Sequence, residues 1–336
     1  MITKDDYDKN EPDQFLSGYH TAEYMADHSN KVFYQKNDKE LKVGIAYYDG
    51  NDSFIQNMAE NIGKELRKLE KEEDMRIVIA MEDAGGKQQT QDMQLEYLID
   101  QECDVIAVNP VDTWSTSKII RRAKEENIPL IFFNREPSDE DIALWDQVYY
   151  VGSDGKNLGK MQGEMLIEAF CKEDLHVDKN KDGTLQYILV EGEEGHSDSV
   201  RRTDAMHNAV KEELSMEQIS SIFAQWNRNV AKEAFLHMNN ETLSICEAVI
   251  CNNDDMALGV LDAINEKQIH SMPVVVGING SKEALREIEK GTLYGTILQG
   301  NDEQTKKIVE LIRQLKDGHS PKGPQKIYIM GEKIKK

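Results

Sequence analysis

The sequence predicts an α/β protein built from two doubly wound parallel-sheet lobes. Short apolar runs alternate with amphipathic helical stretches along most of the chain, which is typical of βαβ units. The alternation occurs as two similar series, one ending at Phe133 and the other beginning at Val148. A chain of 336 residues also exceeds what a single hydrophobic core usually supports, so two domains are expected.

The first series follows a polar segment, residues 1–41, in which we expect a tether or irregular extension. Its strands are expected at Val43–Tyr47, Ile77–Met81, Val105–Val108 and Pro129–Phe133. Its helices are expected at Phe54–Leu69, Gln89–Ile99 and Ser115–Glu126. The strand segments are almost continuously apolar, as expected for strands buried on both faces.

The second series has the same pattern. Its strands are expected at Val148–Val151, Leu185–Val190, Ile219–Phe223, Ala248–Cys251, Val274–Ile278, Tyr294–Leu298 and Ile327–Met330. Its helices are expected at Asn157–Cys171, Ser199–Leu214, Asn229–Met238, Met256–Asn265 and Glu303–Asp317.

Composition excludes several classes of function. The net charge of −22 argues against a nucleic-acid or anionic-membrane partner. No run of apolar residues is long enough to span a membrane. No apolar signal segment follows Met1, so either the protein is cytoplasmic or a signal has been removed. Cys246 and Cys251 fall on opposite faces of one strand, so we expect no disulfide between them.

One loop has the oxygen spacing of a calcium site. Asp178, Asn180 and Asp182 occupy positions one, three and five of an EF-hand-like loop, and Gly183 occupies position six. The backbone carbonyl of Thr184 and the side chain of Gln186 would add ligands. An apolar strand replaces the EF-hand's second helix, so a remote carboxylate would have to complete the site. The competing interpretation is an Asx-rich turn that precedes a strand.

Polar and aromatic residues follow the predicted strands, where doubly wound sheets bind ligands. The polar ones are Asp49, Asn51, Asp52, Asn134, His196, Asp198, Arg202, Asn252, Asn253, Asp254, Asn279 and Gln299. The aromatic ones are Phe54 and Trp226. Groups that donate and accept hydrogen bonds suit sugar hydroxyls, and aromatic rings suit the C–H face of a pyranose.

Each of these residues also has a purely structural interpretation. Asp52, Asp198 and Asp254 precede helices and could be N-caps. Asn279 begins an Asn-Gly dipeptide, which is common in turns. Asp154 is expected to be a connecting residue. The recurrence of such residues at strand ends, more than any single residue, favours a binding site.

These residues resemble the glucose/galactose-binding proteins of bacterial ABC sugar importers. The matching stretches are Asn51–Phe54, Phe132–Pro137, Tyr149–Asp154, Asp178–Gln186, Gly192–Arg202, Trp226, Glu247–Asp254 and Gly295–Leu298. The resemblance implies a type I periplasmic-binding-protein fold, with two lobes joined by a three-segment hinge. The lobes would be residues 42–152 plus 300–326 and residues 153–298 plus 327–336.

The resemblance also implies roles for the strand-end residues. It assigns sugar hydrogen bonds to Asp52, Asn134, His196, Asp198, Arg202 and Asn253, and ring stacking to Phe54 and Trp226. It makes Glu247 the remote ligand of a structural Ca²⁺. Asn279 and Gln299 occupy further sugar-contacting positions, where the family pattern has Asp and Asn, so sugar identity is left open.

The function implied is non-enzymatic. The protein would capture a monosaccharide of the D-galactose or D-glucose type between its lobes and deliver it to an ABC permease by lobe closure. It would act as an extracytoplasmic monomer, in the periplasm or as a cell-surface lipoprotein. A sensor for a chemoreceptor or sensor kinase is the alternative. A sugar-responsive repressor would need a DNA-binding headpiece, and a glycosidase two carboxylates astride the scissile bond.

Overall fold

A computed structural model describes residues 40–316 and 321–336. The predicted tether lies outside these residues except for its last two. The described chain divides into two compact units, whose longest segments are residues 59–150 and 151–307. The described residues form two six-stranded sheets, which confirms the predicted α/β fold class.

The first sheet has the strand order β11-β5-β4-β3-β1-β2. Its strands are β1 (Glu40–Tyr47), β2 (Arg76–Asp83), β3 (Val105–Val108), β4 (Leu130–Phe133), β5 (Val148–Ser153) and β11 (Lys326–Ile329). Its helices are α1 (Ser53–Glu72), α2 (Gln88–Asp100), α3 (Thr116–Glu125) and the single turn α4 (Asp139–Ile142). Because β1 pairs in parallel with both β2 and β3, the winding direction reverses at this strand.

The second sheet has the order β12-β10-β9-β8-β6-β7, so the same winding recurs with its reversal at β6. Its strands are β6 (Thr184–Glu191), β7 (Ser215–Phe223), β8 (Ala248–Cys251), β9 (Val274–Val276), β10 (Gly295–Leu298) and β12 (Glu332–Lys335). The remaining helices are α5 (Gly155–Phe170), α6 (Ser197–Val210), α7 (Arg228–Leu236), α8 (Asn240–Ile245), α9 (Asp254–Glu266), α10 (Lys282–Lys290) and α11 (Asn301–Leu315).

Helices cover both faces of the second sheet. Along β6, Ile188 and Val190 pack with α7, α9 and α10 on one face. Leu185 and Leu189 pack with α5 and α6 on the other. Successive strand residues point to opposite faces, so a continuous apolar run is what two buried faces require.

A close helix contact positions one of the predicted site residues. A Cβ atom on Gly159 of α5 would lie 2.1 Å from the carbonyl oxygen of Arg202 in α6. Only glycine therefore allows α5 to approach α6 this closely at that point. Packing of α5 against α6 thus fixes the position of the Arg202 backbone.

The sequence missed several short elements. They are α4, α8, α10, β12 and a 3-10 turn at Glu173–Leu175. Strand β12 has one apolar residue, Ile334, and pairs antiparallel with β10 at the sheet edge. β12 therefore lacks the run of consecutive apolar residues by which the other strands were identified.

Two further features concern the helices and the cysteines. Within the described ranges, no helix combines the length and apolarity that a membrane crossing would need. All four cysteines are free, and Cys103, Cys246 and Cys251 are buried.

Candidate functional site

In the first unit, Asn134 directly follows β4 and has a left-handed conformation with φ 61°. Asparagine tolerates this conformation better than most residues. The Tyr150 hydroxyl donates to the Asn134 carbonyl at 2.9 Å, and Asn109 Nδ2 donates to Asn134 Oδ1 at 3.3 Å. The predicted ligand side chain is therefore held in place by its neighbours.

Asn109 is a residue that the sequence analysis missed. It follows β3 and is fully buried. Its Oδ1 accepts from the Tyr48 amide at 3.3 Å, and its Nδ2 donates to the Phe133 carbonyl at 3.0 Å. Asn109 thus ties together the ends of β1, β3 and β4. The strand-end rule, applied to every strand, would have found it.

Tyr48 and Arg135 form a second feature that was missed. The Arg135 guanidinium lies 3.6 Å from the centre of the Tyr48 ring, and both residues are buried. Arg135 Nη1 also donates to the Val111 carbonyl at 2.8 Å. This cation–π contact places a positive charge at the carboxyl ends of β1 and β4.

Asp52 caps α1, as its structural interpretation predicted. Its Oδ1 accepts from the amides of Phe54 and Ile55 at 3.0 and 3.2 Å. The proposed sugar contacts of Asp52 and Phe54 remain predictions.

In the second unit, Arg202 and Asn252 form the centre of a polar network. Arg202 Nη1 donates to the Asn252 carbonyl at 2.7 Å, and Arg202 Nη2 lies 3.7 Å from Asp198 Oδ2. Asn252 Oδ1 accepts from the Ser199 hydroxyl at 2.6 Å. Asn252 occupies the same place after β8 that Asn109 occupies after β3. The network holds the guanidinium at the carboxyl end of the sheet.

Trp226 lies beside this network in a strained conformation. Its φ is 59°, a region that bulky residues rarely adopt, and such strain is typical of functional sites. The indole makes an edge contact with His196 at 5.2 Å between ring centres, and the Arg202 guanidinium lies 5.5 Å from its centre. Asn253 Nδ2 donates to the Trp226 carbonyl at 3.2 Å. Four predicted ligand residues are therefore brought together.

Gly192 makes room for the Trp226 ring. A Cβ atom at residue 192 would lie 2.2 Å from two indole carbons. We expect Gly192→Ala to push the indole out of position and to weaken ligand binding by about tenfold or more. Titration calorimetry checks this prediction. Equal affinity of the Gly192→Ala variant and the wild type would contradict the prediction.

The helix caps differ from those considered in the sequence analysis. The N-cap of α6 is His196, whose Nδ1 accepts from the Asp198 amide at 3.1 Å. The N-cap of α9 is Asn253, whose Oδ1 accepts from the Met256 amide at 2.9 Å. The suggestion that Asp198 and Asp254 could be N-caps is therefore wrong, because both lie inside the first helical turn. Asp154, the expected connecting residue, is the N-cap of α5.

Asp254, which directly follows Asn253 in the chain, is a fully buried carboxylate. Its Oδ1 accepts from the Thr296 hydroxyl at 2.6 Å, and its Oδ2 accepts from the Ser281 amide at 2.7 Å. Burial raises its pKa to about 6, and the two hydrogen bonds oppose that shift. Asp254 joins the loops that carry Asn253 and Asn279.

The raised pKa of Asp254 predicts a pH-dependent stability. Between the ordinary pKa of 3.8 and about 6, the folded protein binds more protons than the unfolded chain. The free energy of unfolding should therefore fall as pH rises through this window, by about 3 kcal/mol. Asp254→Asn should remove this component, because a side-chain amide does not titrate. Its nitrogen can still donate to the Thr296 hydroxyl. Urea unfolding at several pH values checks this; equal pH profiles for both proteins would contradict it.

Asn279 and Gln299 lie next to each other in the second unit, and both are buried. Gln299 Nε2 donates to Asn279 Oδ1, and Arg202 Nη2 donates to Gln299 Oε1 at 3.4 Å. Asn279 has φ 145°, which favours glycine. Gln299 thus contacts Arg202 directly, and Asn279 is linked to Arg202 through Gln299. These are the two residues that depart from the pattern of the resembled family.

The predicted calcium loop is held by its own hydrogen bonds. Asp178 accepts from the amides of Asp182 and Gly183 at 3.2 and 3.0 Å. Asp182 Oδ2 accepts from the side-chain amides of Asn180 and Gln186 at 2.8 and 3.0 Å. All of these groups except the buried Gln186 are at least partly exposed.

Glu247 joins this loop from the chain segment just before β8. Its Oε1 accepts from the Lys179 amide at 2.6 Å, and its Oε2 accepts from the Gln186 amide at 3.1 Å. Burial raises the Glu247 pKa, and the charges of Asp178 and Asp182 raise it further. Within residues 40–316 and 321–336, no three His, Cys, Asp or Glu side chains are arranged to hold a metal ion. The loop resembles the Asx-rich turn of the competing interpretation, with Glu247 added.

Comparison with known proteins identifies the family. A family model described as a periplasmic binding protein domain matches residues 43–320. The D-galactose/methyl-galactoside binding periplasmic protein of Haemophilus influenzae is 32% identical over 281 residues, which cover 83% of this chain and 82% of that protein. The ribose import binding protein of Bacillus subtilis is 26% identical, over 78% and 77% of the two chains.

Solved structures share the fold. The solute binding protein of an ABC transporter from Actinobacillus succinogenes, solved with bound D-allose, superposes with a TM-score of 0.75 at 18% identity, over 88% of this chain and 97% of that one. A Bacillus halodurans solute binding protein, solved with bound myo-inositol, gives a TM-score of 0.72 at 24% identity, over 90% and 96%. The named relatives are binding proteins, which confirms the prediction of a non-enzymatic function. The chain belongs to the family of periplasmic binding protein domains.

Proposed function

We propose that this protein is an extracytoplasmic sugar-binding protein that supplies a monosaccharide to an ABC permease. The observation that carries the proposal is the group formed by Arg202, Asp198, Trp226, His196 and Asn253 in the second unit. It combines a charged pair, one side-chain amide, an imidazole and an indole within one polar network. These groups together match the hydroxyls and the C–H face of a sugar ring.

The side chains of this group differ in their hydrogen-bonding roles. Arg202 donates only, the Asp198 carboxylate accepts only, and Asn253 does both. A sugar hydroxyl both donates and accepts, so neighbouring hydroxyls can be satisfied between the guanidinium and the carboxylate. The indole of Trp226 provides an apolar surface for the C–H face of the ring. No covalent step is needed.

The proposed ligand is a pyranose of the D-galactose or D-glucose type. The support is the 32% identity with a galactose-binding relative, over most of both chains. The relatives are named as periplasmic or import binding proteins, and this supports the proposed location and permease partner.

Titration calorimetry with a panel of sugars tests the proposal. The panel is D-galactose, D-glucose, D-allose, D-ribose, D-xylose and myo-inositol. We expect at least one hexose to bind with a dissociation constant in the micromolar range or below, about −8 kcal/mol. If every sugar in the panel binds more weakly than about 1 mM, the proposal is wrong.

We also propose that the loop from Asp178 to Gln186 binds Ca²⁺ together with Glu247. Once the Asn180 and Gln186 amides turn their oxygens toward the ion, every atom that coordinates the metal would be an oxygen. Ca²⁺ prefers such an all-oxygen set of ligands. The oxygen and nitrogen of such amides are assigned from their hydrogen bonds, so this rotation is a small change. Bound Ca²⁺ would neutralise the carboxylates that raise the Glu247 pKa. Its role would be structural.

A further inference from the structure

Ser199, in the first turn of α6, joins three parts of the second unit, and it is buried. Its hydroxyl donates to Asn252 Oδ1 at 2.6 Å and accepts from the Gly192 amide at 3.1 Å. Gly192 directly follows β6, and Asn252 directly follows β8. Ser199 therefore connects helix α6 to the carboxyl ends of two neighbouring strands.

The directions of these hydrogen bonds are fixed by the backbone. The Gly192 amide can only donate, so the Asn252 side-chain atom that lies 3.4 Å from it is the oxygen. The Ser199 hydroxyl must then give its single hydrogen to that oxygen, and it can accept from Gly192. The Asn252 nitrogen donates instead to the Thr203 hydroxyl at 3.2 Å. The usual ambiguity between amide oxygen and nitrogen is thus removed at Asn252.

Gly192 passes this order on to the loop that carries Trp226. The Gly192 carbonyl accepts from the Gln225 amide at 3.1 Å, one residue before the tryptophan. Gln225 and Trp226 both have left-handed backbones, with φ 52° and 59°. The indole packs so closely on Gly192 that a Cβ atom there would lie 2.2 Å from the ring. The position of Gly192 therefore sets the position of the indole.

Asn252 also holds the charged part of the site. Its carbonyl accepts from Arg202 Nη1 at 2.7 Å, and the residue is fully buried. The guanidinium of Arg202 is thus held by Asn252 directly. The indole of Trp226 is held by the same residue indirectly, through Ser199 and Gly192.

We infer that Ser199 is a positioning residue that sets the place of the Trp226 indole relative to the Arg202 guanidinium for the bound sugar. Ser199 acts without touching the ligand. Among the described residues, loss of its hydroxyl leaves the Gly192 amide with only the 3.4 Å contact to Asn252. A small displacement of a contact group costs much of its contribution to binding. The inference rests on the proposed sugar-binding function and adds to it a residue that acts through the indole.

A double-mutant cycle tests whether Ser199 acts through Trp226. Titration calorimetry with the tightest sugar of the panel compares the wild type, Ser199→Ala, Trp226→Ala and the double variant. We expect Ser199→Ala to weaken binding by about fivefold or more, because it leaves buried polar groups poorly paired and releases the indole. In the Trp226→Ala background the same substitution should cost less than about twofold. An equal loss in both backgrounds, or no loss in either, would overturn the inference.

Fluorine NMR reports on the indole itself, with or without sugar. The chain has three tryptophans, so labelling with 5-fluorotryptophan gives three signals, and Trp226→Phe identifies the signal of residue 226. Ser199→Ala should shift or broaden that signal and leave the signal of Trp145, in the first unit, unchanged. A general loss of stability would not single out one ring. An unchanged Trp226 signal would overturn the inference.

Thr116→Val is the matched control, because it removes a similarly buried hydroxyl in the first unit. That hydroxyl donates to Asp141 Oδ2 at 2.5 Å. The control should keep the wild-type sugar affinity and the wild-type Trp226 signal. Thermal melting verifies that each variant is folded at the temperature of the measurement.

The inference and the proposed function fail in different ways. If sugars bind the wild type but the losses in the cycle are additive, the positioning role is wrong and the proposed function stands. If no sugar of the panel binds the wild type, the proposed function fails, and the positioning role fails with it.

Discussion

Replacing Trp226 with alanine is expected to weaken sugar binding by roughly 30- to 160-fold, since a lost stacking surface costs about 2–3 kcal/mol. The indole lies against His196 and the Arg202 guanidinium, so its removal takes away the only tryptophan ring of this polar network. Titration calorimetry with the tightest sugar of the panel measures the loss. Trp226→Phe, which keeps an aromatic ring, should recover part of the affinity.

The fold of the Trp226 variants needs a separate readout, because the residue is only 7% exposed. Truncating a buried aromatic residue costs about 3–5 kcal/mol of stability. Binding should therefore be measured well below the melting temperature of each variant. Trp114→Ala is the matched control, because that indole is 85% exposed in the first unit. If Trp226→Ala and Trp114→Ala bind the sugar equally well, the stacking role is refuted.

Removing calcium is expected to lower the melting temperature of the wild type by about 10 °C. A ligand present at a thousandfold excess over its dissociation constant stabilises the folded state by about 4 kcal/mol. For units of this size, each kcal/mol corresponds to about 2–4 °C. Thermal melts with calcium and with EDTA measure the difference.

Glu247→Gln should abolish that difference. The substitution removes the carboxylate that joins β8 to the loop and leaves an amide nitrogen near the backbone donors of Lys179 and Gln186. Stability without calcium will also change, so the readout is the calcium-dependent shift and not the melting temperature itself. Glu241→Gln, on the exposed surface of α8, should keep the full shift. A wild type that melts alike with calcium and with EDTA would exclude the calcium site.

Most strands of both sheets could be predicted because their signal, a run of consecutive apolar residues, is visible in a short stretch of sequence. β3, β4 and β8 are buried at every position, so four consecutive apolar residues are visible in the sequence. The winding order then follows from the βαβ alternation. Strand β12 has no such run, because a sheet edge requires fewer apolar residues.

The strand-end rule predicted where polar side chains gather but not how they contact one another. It brought Arg202, Trp226 and Asn253 to one place, since parallel strands end at the same edge. The contact between Arg202 and Gln299 joins residues 97 positions apart, and no sequence period reports it. Helix caps depend on backbone angles, so the capping roles of His196 and Asn253 could not be distinguished from those of Asp198 and Asp254 beforehand.

The left-handed conformation of Trp226 had no signal in the sequence. A bulky residue is a poor choice at positive φ, and the sequence therefore gave no reason to expect it there. The space that Gly192 leaves for the indole explains how the strain is tolerated, because the ring packs closely on the backbone of residue 192. Strain and packing of this kind are properties of the folded chain.

A crystal structure of the protein with its tightest-binding sugar would show directly whether the Arg202 network is the sugar site. We expect the C–H face of the sugar ring to lie in van der Waals contact with the Trp226 indole. We also expect sugar oxygens within hydrogen-bond distance of Arg202, Asp198 and Asn253. A sugar bound at full occupancy elsewhere, with none of these four side chains touching it, would show that this network is not the sugar site.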